Sequence, residues 1–177
     1  MKIKADDKQF ELYISNEVLH QRINEIGKQL SQEFQDEKPI LLGILNGSFM
    51  FMADLSRTLN FELEMEFVKL QSYNGDSSSG KVNHEISLKK NIEGRSVIIV
   101  EDIIDTGLTI SNFIETLKAN NPKSIYLVAL LSKPSAHHFP IDIDIVGFEI
   151  PNEFVVGYGL DYNGCGRNYD AIYKVCN

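Results

Sequence analysis

Cysteine is nearly missing from this 177-residue chain, which holds only Cys165 and Cys176. Two cysteines so placed have neither the spacing of a zinc site nor that of a redox pair. They read as free thiols in a reducing compartment, and a cytoplasmic protein is expected. Positive charge is also in deficit: 17 Lys and Arg face 25 Asp and Glu, a formal net charge of -8. That balance argues against DNA or RNA as the partner, because a phosphate backbone needs a basic face. It leaves phosphorylated small molecules open, since a few local donors and a metal ion suffice to hold them. No apolar run approaches the ~20 residues of a membrane span, so no membrane partner is expected. The start, Met1-Lys2-Ile3-Lys4-Ala5-Asp6-Asp7, turns acidic at once and does not read as a signal peptide. What is present is a globular balance, 43% hydrophobic and 24% charged. The length suits one domain over residues 1–177, able to bury roughly 70% of its unfolded surface.

Hydrophobic periodicity places the elements. Strands are expected from Phe10 to Ile14, Pro39 to Leu45, Phe61 to Leu70, Val97 to Val100 and Ser124 to Leu131. Shorter ones are expected at Ile143 to Phe148, Phe154 to Gly157 and Ala171 to Val175. Helices are expected from Asn16 to Phe34, with Val18, Leu19, Ile23, Ile26 and Leu30 as the apolar positions, from Phe49 to Leu59, and from Ile110 to Ala119. The last should stop near Asn121-Pro122. Tyr73 to Lys81 is Asn, Gly, Asp and Ser, a loop. Strands alternating with helices imply an α/β fold with a mostly parallel central sheet flanked by helices on both faces.

The segment Val97-Ile98-Ile99-Val100-Glu101-Asp102-Ile103-Ile104-Asp105-Thr106-Gly107-Leu108-Thr109 is the most informative. A buried strand runs into two acids, then a small-residue loop, then a helix. Open α/β sheets bind ligands at the carboxyl ends of such strands, and a helix start offers free N–H groups to a phosphate. A plainer reading has Asp105 or Thr106 merely capping the helix, with Glu101 and Asp102 solvated at a strand end. The near P-loop at residues 75–82 fails, because Val82 stands where Ser or Thr must hold magnesium. His137-His138 lacks the companions of a metal site.

The whole segment resembles the phosphoribosyl-diphosphate motif of the type I phosphoribosyltransferases. The resemblance extends over nearly the full chain to the hypoxanthine-guanine branch. It is carried by Leu45-Asn46-Gly47-Ser48, Ser72-Tyr73, Lys133, Val146 to Pro151, and Phe154 through Asn163 to Arg167. It implies the type I fold, with a small hood built from the chain ends. It also implies a magnesium-dependent reaction of purine salvage, in which phosphoribosyl diphosphate and hypoxanthine or guanine give IMP or GMP and pyrophosphate. A homodimer or homotetramer is implied as well.

Residue roles follow from the same resemblance. Glu101 and Asp102 meet the ribose hydroxyls and share magnesium. Asp105 is the general base near N7 of the purine, and Asp105, Thr106, Gly107, Leu108 and Thr109 cradle the 5′-phosphate. Leu108 departs from relatives that carry Lys or Asn there. Lys133 donates to the purine O6, which disfavours adenine because its amino group there is itself a donor. Taken alone, a Lys at a strand end is more often simply solvated. Phe154 stacks on the base, and Val155 and Asp161 offer carbonyls to the guanine 2-amino group. Asp161 also serves a second magnesium. Leu45, Asn46 and Gly47, with a non-proline cis peptide after the Leu, face pyrophosphate, as does Arg167. Relatives often have Lys at the position of Asn46. Ser72 and Tyr73 belong to a lid. Two rivals stand beside this reading: a xanthine-preferring enzyme of the same chemistry, and a nucleotide-sensing, RNA-binding regulator on the same fold.

Overall fold

Strand alternation decides which face of the central sheet each residue takes. In the computed structural model, which describes residues 1–70 and 90–176, five parallel strands stand in the order β4-β3-β5-β6-β7. They are β3 (Ile40–Leu45), β4 (Glu64–Lys69), β5 (Ser96–Ile104), β6 (Ser124–Ser132) and β7 (Ile145–Glu149). Leu41, Ile98, Val100, Val128 and Leu130 face one way, onto α1 (Asn16–Phe34) and α2 (Phe49–Thr58). Ile40, Leu42, Val97, Ile99 and Leu127 face the other way, onto Ile110, Phe113 and Leu117 of α3 (Leu108–Lys118). Each such side chain, fully buried, contributes roughly 1.5–3 kcal/mol. β5, buried on both faces between β3 and β6, is therefore among the most firmly held strands, and it carries the acids.

The hood is a second, antiparallel sheet in the order β1-β2-β9-β8, drawn from both ends of the chain. β1 (Lys2–Ala5) and β2 (Lys8–Ile14) meet β9 (Ile172–Val175) and the short β8 (Val155–Val156). Phe10, Val156, Ala171 and Tyr173 form its own small core. The expected lid residues Ser72 and Tyr73, the loop from Tyr73 to Lys81 and the near P-loop lie outside the described residues.

Several boundaries differ from expectation for physical reasons. β5 does not stop before Glu101, because β6 goes on pairing with it as far as Ile104↔Ser132. The helix expected from Ile110 begins at Leu108, directly after a left-handed Gly107 (φ 85°). Val18 is 48% exposed, off the buried stripe of Leu19, Ile23, Ile26, Leu30 and Phe34, whose spacing of three or four leaves position 18 facing outward. β1 was not foreseen, since four residues give too short an alternation. It exists because a turn at Asp6 (φ 52°) folds it back onto β2. Among the described residues no helix is long and apolar enough to cross a membrane.

Candidate active site

β3 pairs with β5 only up to Gly43↔Val100, while β6 stays paired beyond that point. Glu101 and Asp102 therefore sit on a strand that is still held on one side and open on the other. The chain leaving β3 fills that side with the Leu45-Asn46-Gly47 turn, whose Leu45–Asn46 peptide is cis. Gly47 lies so close to Asp102 that a Cβ there would fall 1.4 Å from Asp102 Oδ2. Gly159 is pressed in turn against the Gly47 carbonyl, where a Cβ would come within 2.0 Å of the oxygen. Arg167 Nη1 donates to the Gly159 carbonyl at 2.6 Å, and its Nη2 pairs with Asp161 Oδ1 at 2.6 Å. Asp161 Oδ2 accepts from the Gly164 N–H at 2.7 Å. The turn, the acid pair, Asp161 and Arg167 thus form one assembly, although they come from distant parts of the chain.

The acid pair is electrostatically uncomfortable. Burial pushes the Asp102 carboxyl up to about 6, against the pull of the Ile103 N–H, which donates to it at 2.9 Å, and of Arg167. Burial and then the Asp102 charge hold Glu101 well above the usual carboxylate range. Glu101 Oε2 is out of contact with water and has no hydrogen-bond partner among the described residues. An orphaned carboxylate oxygen beside a second acid suits a hydroxyl donor or a hard cation.

A stability prediction follows from Asp102 alone. Its unfolded value is ~3.9, so between there and about 6 the folded state binds more protons than the unfolded one. The associated stability is full below pH ~4 and is lost as pH rises through about 6. Asp102→Asn should stabilise the ligand-free protein by about 2 kcal/mol near neutral pH, with a gain that shrinks toward pH ~4. Melting curves of both proteins in chelator across that range check it. A pH-independent difference would show that the carboxyl charge is not its origin.

The other half of the site follows β5. A pocket runs from Glu101 past Asp105, Thr106, Gly107 and Thr109. Its apolar wall is Ile103, Ile104 and Ile110, none of which sequence reasoning singled out. Leu108 is 43% exposed and does not line the pocket, so the cradle is one of backbone and threonines. The capping reading of Asp105 does not hold: the helix N-cap is Gly107, with no side-chain cap bond. Thr106 Oγ1 makes only a long contact, 3.4 Å, with the Leu108 N–H. Asp105 Oδ2 instead accepts from Lys133 Nζ at 3.2 Å. Lys133 is 6% exposed, so the solvated reading of this lysine fails too. Its backbone N–H donates to the Ile104 carbonyl at 2.9 Å, locking the end of β6 to the end of β5. An ammonium has three donors, and the bond to Asp105 is the one it makes among the described residues.

Phe154 belongs to the hood. The residue is 43% exposed, and its ring lies 6.2 Å from that of Phe10 and meets Tyr162 edge-on at 5.6 Å. Lys8 stands 4.6 Å over the Tyr162 ring and 5.7 Å from that of Phe154. Val155 is buried, paired with Lys174. No described contact joins Phe154 to the Lys133–Asp105 pair. Among the described residues no three or more His, Cys, Asp or Glu side chains gather around one point. Asp161, expected as a metal ligand with Glu101 and Asp102, has its carboxylate engaged by Arg167 and Gly164. Magnesium does not need such a cage, because it commonly uses one or two carboxylates, substrate phosphates and its own waters. Glu101 and Asp102 fit that pattern.

Gly159 escaped sequence reasoning as a site residue. The signal for it was present in Gly157-Tyr158-Gly159, two glycines flanking a buried aromatic, all three at positive φ.

Residues 13–163 match the family model described as phosphoribosyl transferase domain. The hypoxanthine-guanine phosphoribosyltransferase of Bacillus subtilis is 45% identical over 160 residues, covering 90% of this chain and 89% of that protein. The bifunctional protein TilS/HprT of Listeria innocua is 44% identical over 160 residues, 90% of this chain but 25% of its own length. The chain thus spans about a quarter of that relative. Among solved structures, the hypoxanthine phosphoribosyltransferase of Trypanosoma cruzi complexed with the product IMP has a TM-score of 0.87 at 34% identity, covering 98% of this chain and 93% of that one. The acid pair, the pocket loop and Lys133 all lie within the matched span, and the chain belongs to the phosphoribosyltransferase family, alongside its hypoxanthine-guanine members.

Proposed function

We propose that this protein transfers the 5-phosphoribosyl group from phosphoribosyl diphosphate to hypoxanthine or guanine, releasing pyrophosphate, as a cytoplasmic enzyme of purine salvage. The carrying observation is the buried Lys133 ammonium bound to Asp105 at the end of the pocket that leads to Thr106 and Thr109. The 5′-phosphate takes the loop and helix start, where the backbone offers free N–H groups and Thr106 and Thr109 line the pocket. Glu101 and Asp102 accept from the ribose 2′ and 3′ hydroxyls, which satisfies the orphaned Glu101 oxygen. The leaving pyrophosphate meets the Leu45-Asn46-Gly47 backbone and Arg167. Magnesium on the Glu101–Asp102 side would neutralise charge on the diphosphate.

In the reaction, a purine nitrogen bonds to the ribose C1 while the bond from C1 to the diphosphate oxygen breaks, its electrons leaving with pyrophosphate. The purine sheds one proton, and Asp105 takes it. Lys133 swings one of its remaining donors to O6, the Phe154 ring covers the base, and the Val155 and Asp161 carbonyls receive a 2-amino group. Asp161 acts first as the anchor of Arg167, with any second magnesium reached through water. Residues 1–177 act as one domain in a homodimer or homotetramer, which the mass in solution reads. The test is turnover with phosphoribosyl diphosphate and magnesium on hypoxanthine, guanine, xanthine and adenine. Activity on the first two is expected. Preference for xanthine moves the assignment to that neighbour, and silence on all four removes it.

Base choice gives a sharper prediction. Lys133→Gln replaces an obligate donor with an amide that presents either a donor or an acceptor. Discrimination between hypoxanthine and adenine, taken as the ratio of kcat/KM values, should fall by roughly 10–100-fold, on the scale of a charged hydrogen bond. An unchanged ratio removes Lys133 from O6.

A further inference from the structure

Tyr158 has no part in the chemistry above, yet it is among the largest fully buried side chains, 1% exposed. Its backbone stands in the left-handed region, φ 49°. A bulky residue persists there only when its surroundings over-determine it. Its hydroxyl donates to Asp54 Oδ2 on α2 at 2.6 Å. Asp54 Oδ1 is held by Arg57 Nη1 at 2.6 Å. His20 of α1 meets the Tyr158 ring edge-on, its Nε2 4.0 Å from Asp54 Oδ2. Burial, then the Asp54 carboxylate, pushes the phenol far above its usual range, so the hydroxyl remains a donor.

Both ends of this bond lead to the same place. Ser48, the residue after Gly47, is the N-cap of α2, and its Oγ donates to the Ile44 carbonyl at 2.6 Å. Asp54 is thereby tied to the Gly47 turn through one short helix. On the other side, Tyr158 precedes Gly159, whose N–H donates to the Arg167 carbonyl at 3.0 Å and whose carbonyl accepts from Arg167 Nη1. Gly159 in turn rests on the Gly47 carbonyl. Gly47, α2, Asp54, Tyr158 and Gly159 make a closed ring, and Arg167 hangs from it. Lys133 and Asp105, at the ends of β6 and β5, stand outside it.

We infer that the Tyr158–Asp54 hydrogen bond is a positioning brace for the pyrophosphate side of the site, setting the distance between the Gly47 turn and Arg167. It rests on the proposed reaction for the identity of the ligand, but not for the mechanical link. With the bond gone, α2 keeps only the apolar packing of Phe51, Met52 and Leu55 in the cluster that holds the Tyr158 ring, which fixes no direction, so Gly159 loosens on Gly47 and Arg167 follows it.

Tyr158→Phe keeps the ring and deletes one hydroxyl. KM for phosphoribosyl diphosphate and Kd for pyrophosphate with magnesium should each rise roughly tenfold, the upper end of the scale of a single hydrogen bond whether or not its acceptor is charged. KM for hypoxanthine should stay at the wild-type value. Asp54→Asn keeps an oxygen that accepts from the phenol and should restore wild-type behaviour, whereas Asp54→Ala should copy Tyr158→Phe. Amide exchange at Gly159 should quicken in Tyr158→Phe and Asp54→Ala but not in Asp54→Asn, a readout that needs no turnover. If wild-type protein is inactive on both 6-oxopurines, the reaction assignment fails and Gly159 exchange still decides the brace. Unchanged exchange with unchanged KM for phosphoribosyl diphosphate overturns the brace. Equal loss for both substrates with a lower melting temperature overturns it as well, marking Tyr158 as general packing. Should Tyr158→Phe fail to fold, the Asp54→Asn and Asp54→Ala pair carries the same comparison.

Discussion

Asp105→Ala is expected to lower turnover by roughly 10²–10⁴-fold, the range for a positioned acid–base group, with a much smaller effect on binding of phosphoribosyl diphosphate. The phosphate loop and the acid pair remain when Asp105 is cut back, so ground-state contacts to the ribose phosphate persist. What is lost is the group proposed to take the purine proton. The substitution also strands Lys133, a nearly buried cation whose hydrogen bond to Asp105 is 3.2 Å, and an unpaired buried charge costs stability on its own. Asp105→Asn separates the two effects. Its amide oxygen still accepts from Lys133 but takes no proton. Both variants should lose turnover, and the Ala variant should lose more melting temperature than the Asn variant. Single-turnover rates and product-inhibition constants check it. Near wild-type turnover in either variant would take Asp105 out of proton transfer.

The parts of this molecule that were legible in the sequence are those set by neighbours in the chain. Val97 to Val100 announced a buried strand by composition, and the small-residue loop after Asp105 announced a turn into a helix. Both exist, the helix beginning two residues earlier than expected, because strand burial and loop chemistry are decided within a few residues. The acids were legible as residue types but not as an environment. Both are raised by burial, Asp102 beside the Gly47 turn and Glu101 beside the Asp102 charge, contacts to which no local pattern points. β5 outran its expected end because β6 kept pairing with it, which is a property of the partner strand. The ion pair between Asp105 and Lys133 and the bond between Tyr158 and Asp54 join residues 28 and 104 apart, and only tertiary closure brings such pairs together. The hood was foreseen as a meeting of the chain ends, through resemblance rather than pattern. β1 and its turn at Asp6 were too short to read.

That dependence on contact makes Gly47 a sensitive backbone position of the site. Gly47→Ala is expected to lower kcat/KM for phosphoribosyl diphosphate by roughly 10²-fold while leaving the fold in place, since a 1 Å misplacement alone can cost that much. The added methyl would land 1.4 Å from Asp102 Oδ2, a distance at which one of the two must move. The turn has little room to retreat, because Gly159 lies against its carbonyl on the other side and Ser48 behind it is buried and bonded to Ile44. The Asp102 carboxylate is the softer partner. It is held by the Ile103 N–H at 2.9 Å and rotates away when that bond is given up. The ribose hydroxyls then lose an acceptor, and Glu101 is left as the sole acid on that side. Loss should therefore concentrate in phosphoribosyl diphosphate: its KM rises, kcat falls, and KM for hypoxanthine holds. Asp102→Ala in the Gly47→Ala background supplies the control, because removing the carboxylate removes the clash. The double variant should be no worse than Asp102→Ala alone, a non-additivity expected only for groups in direct contact. Additive losses would mean that the methyl acts through the turn and not through the acid.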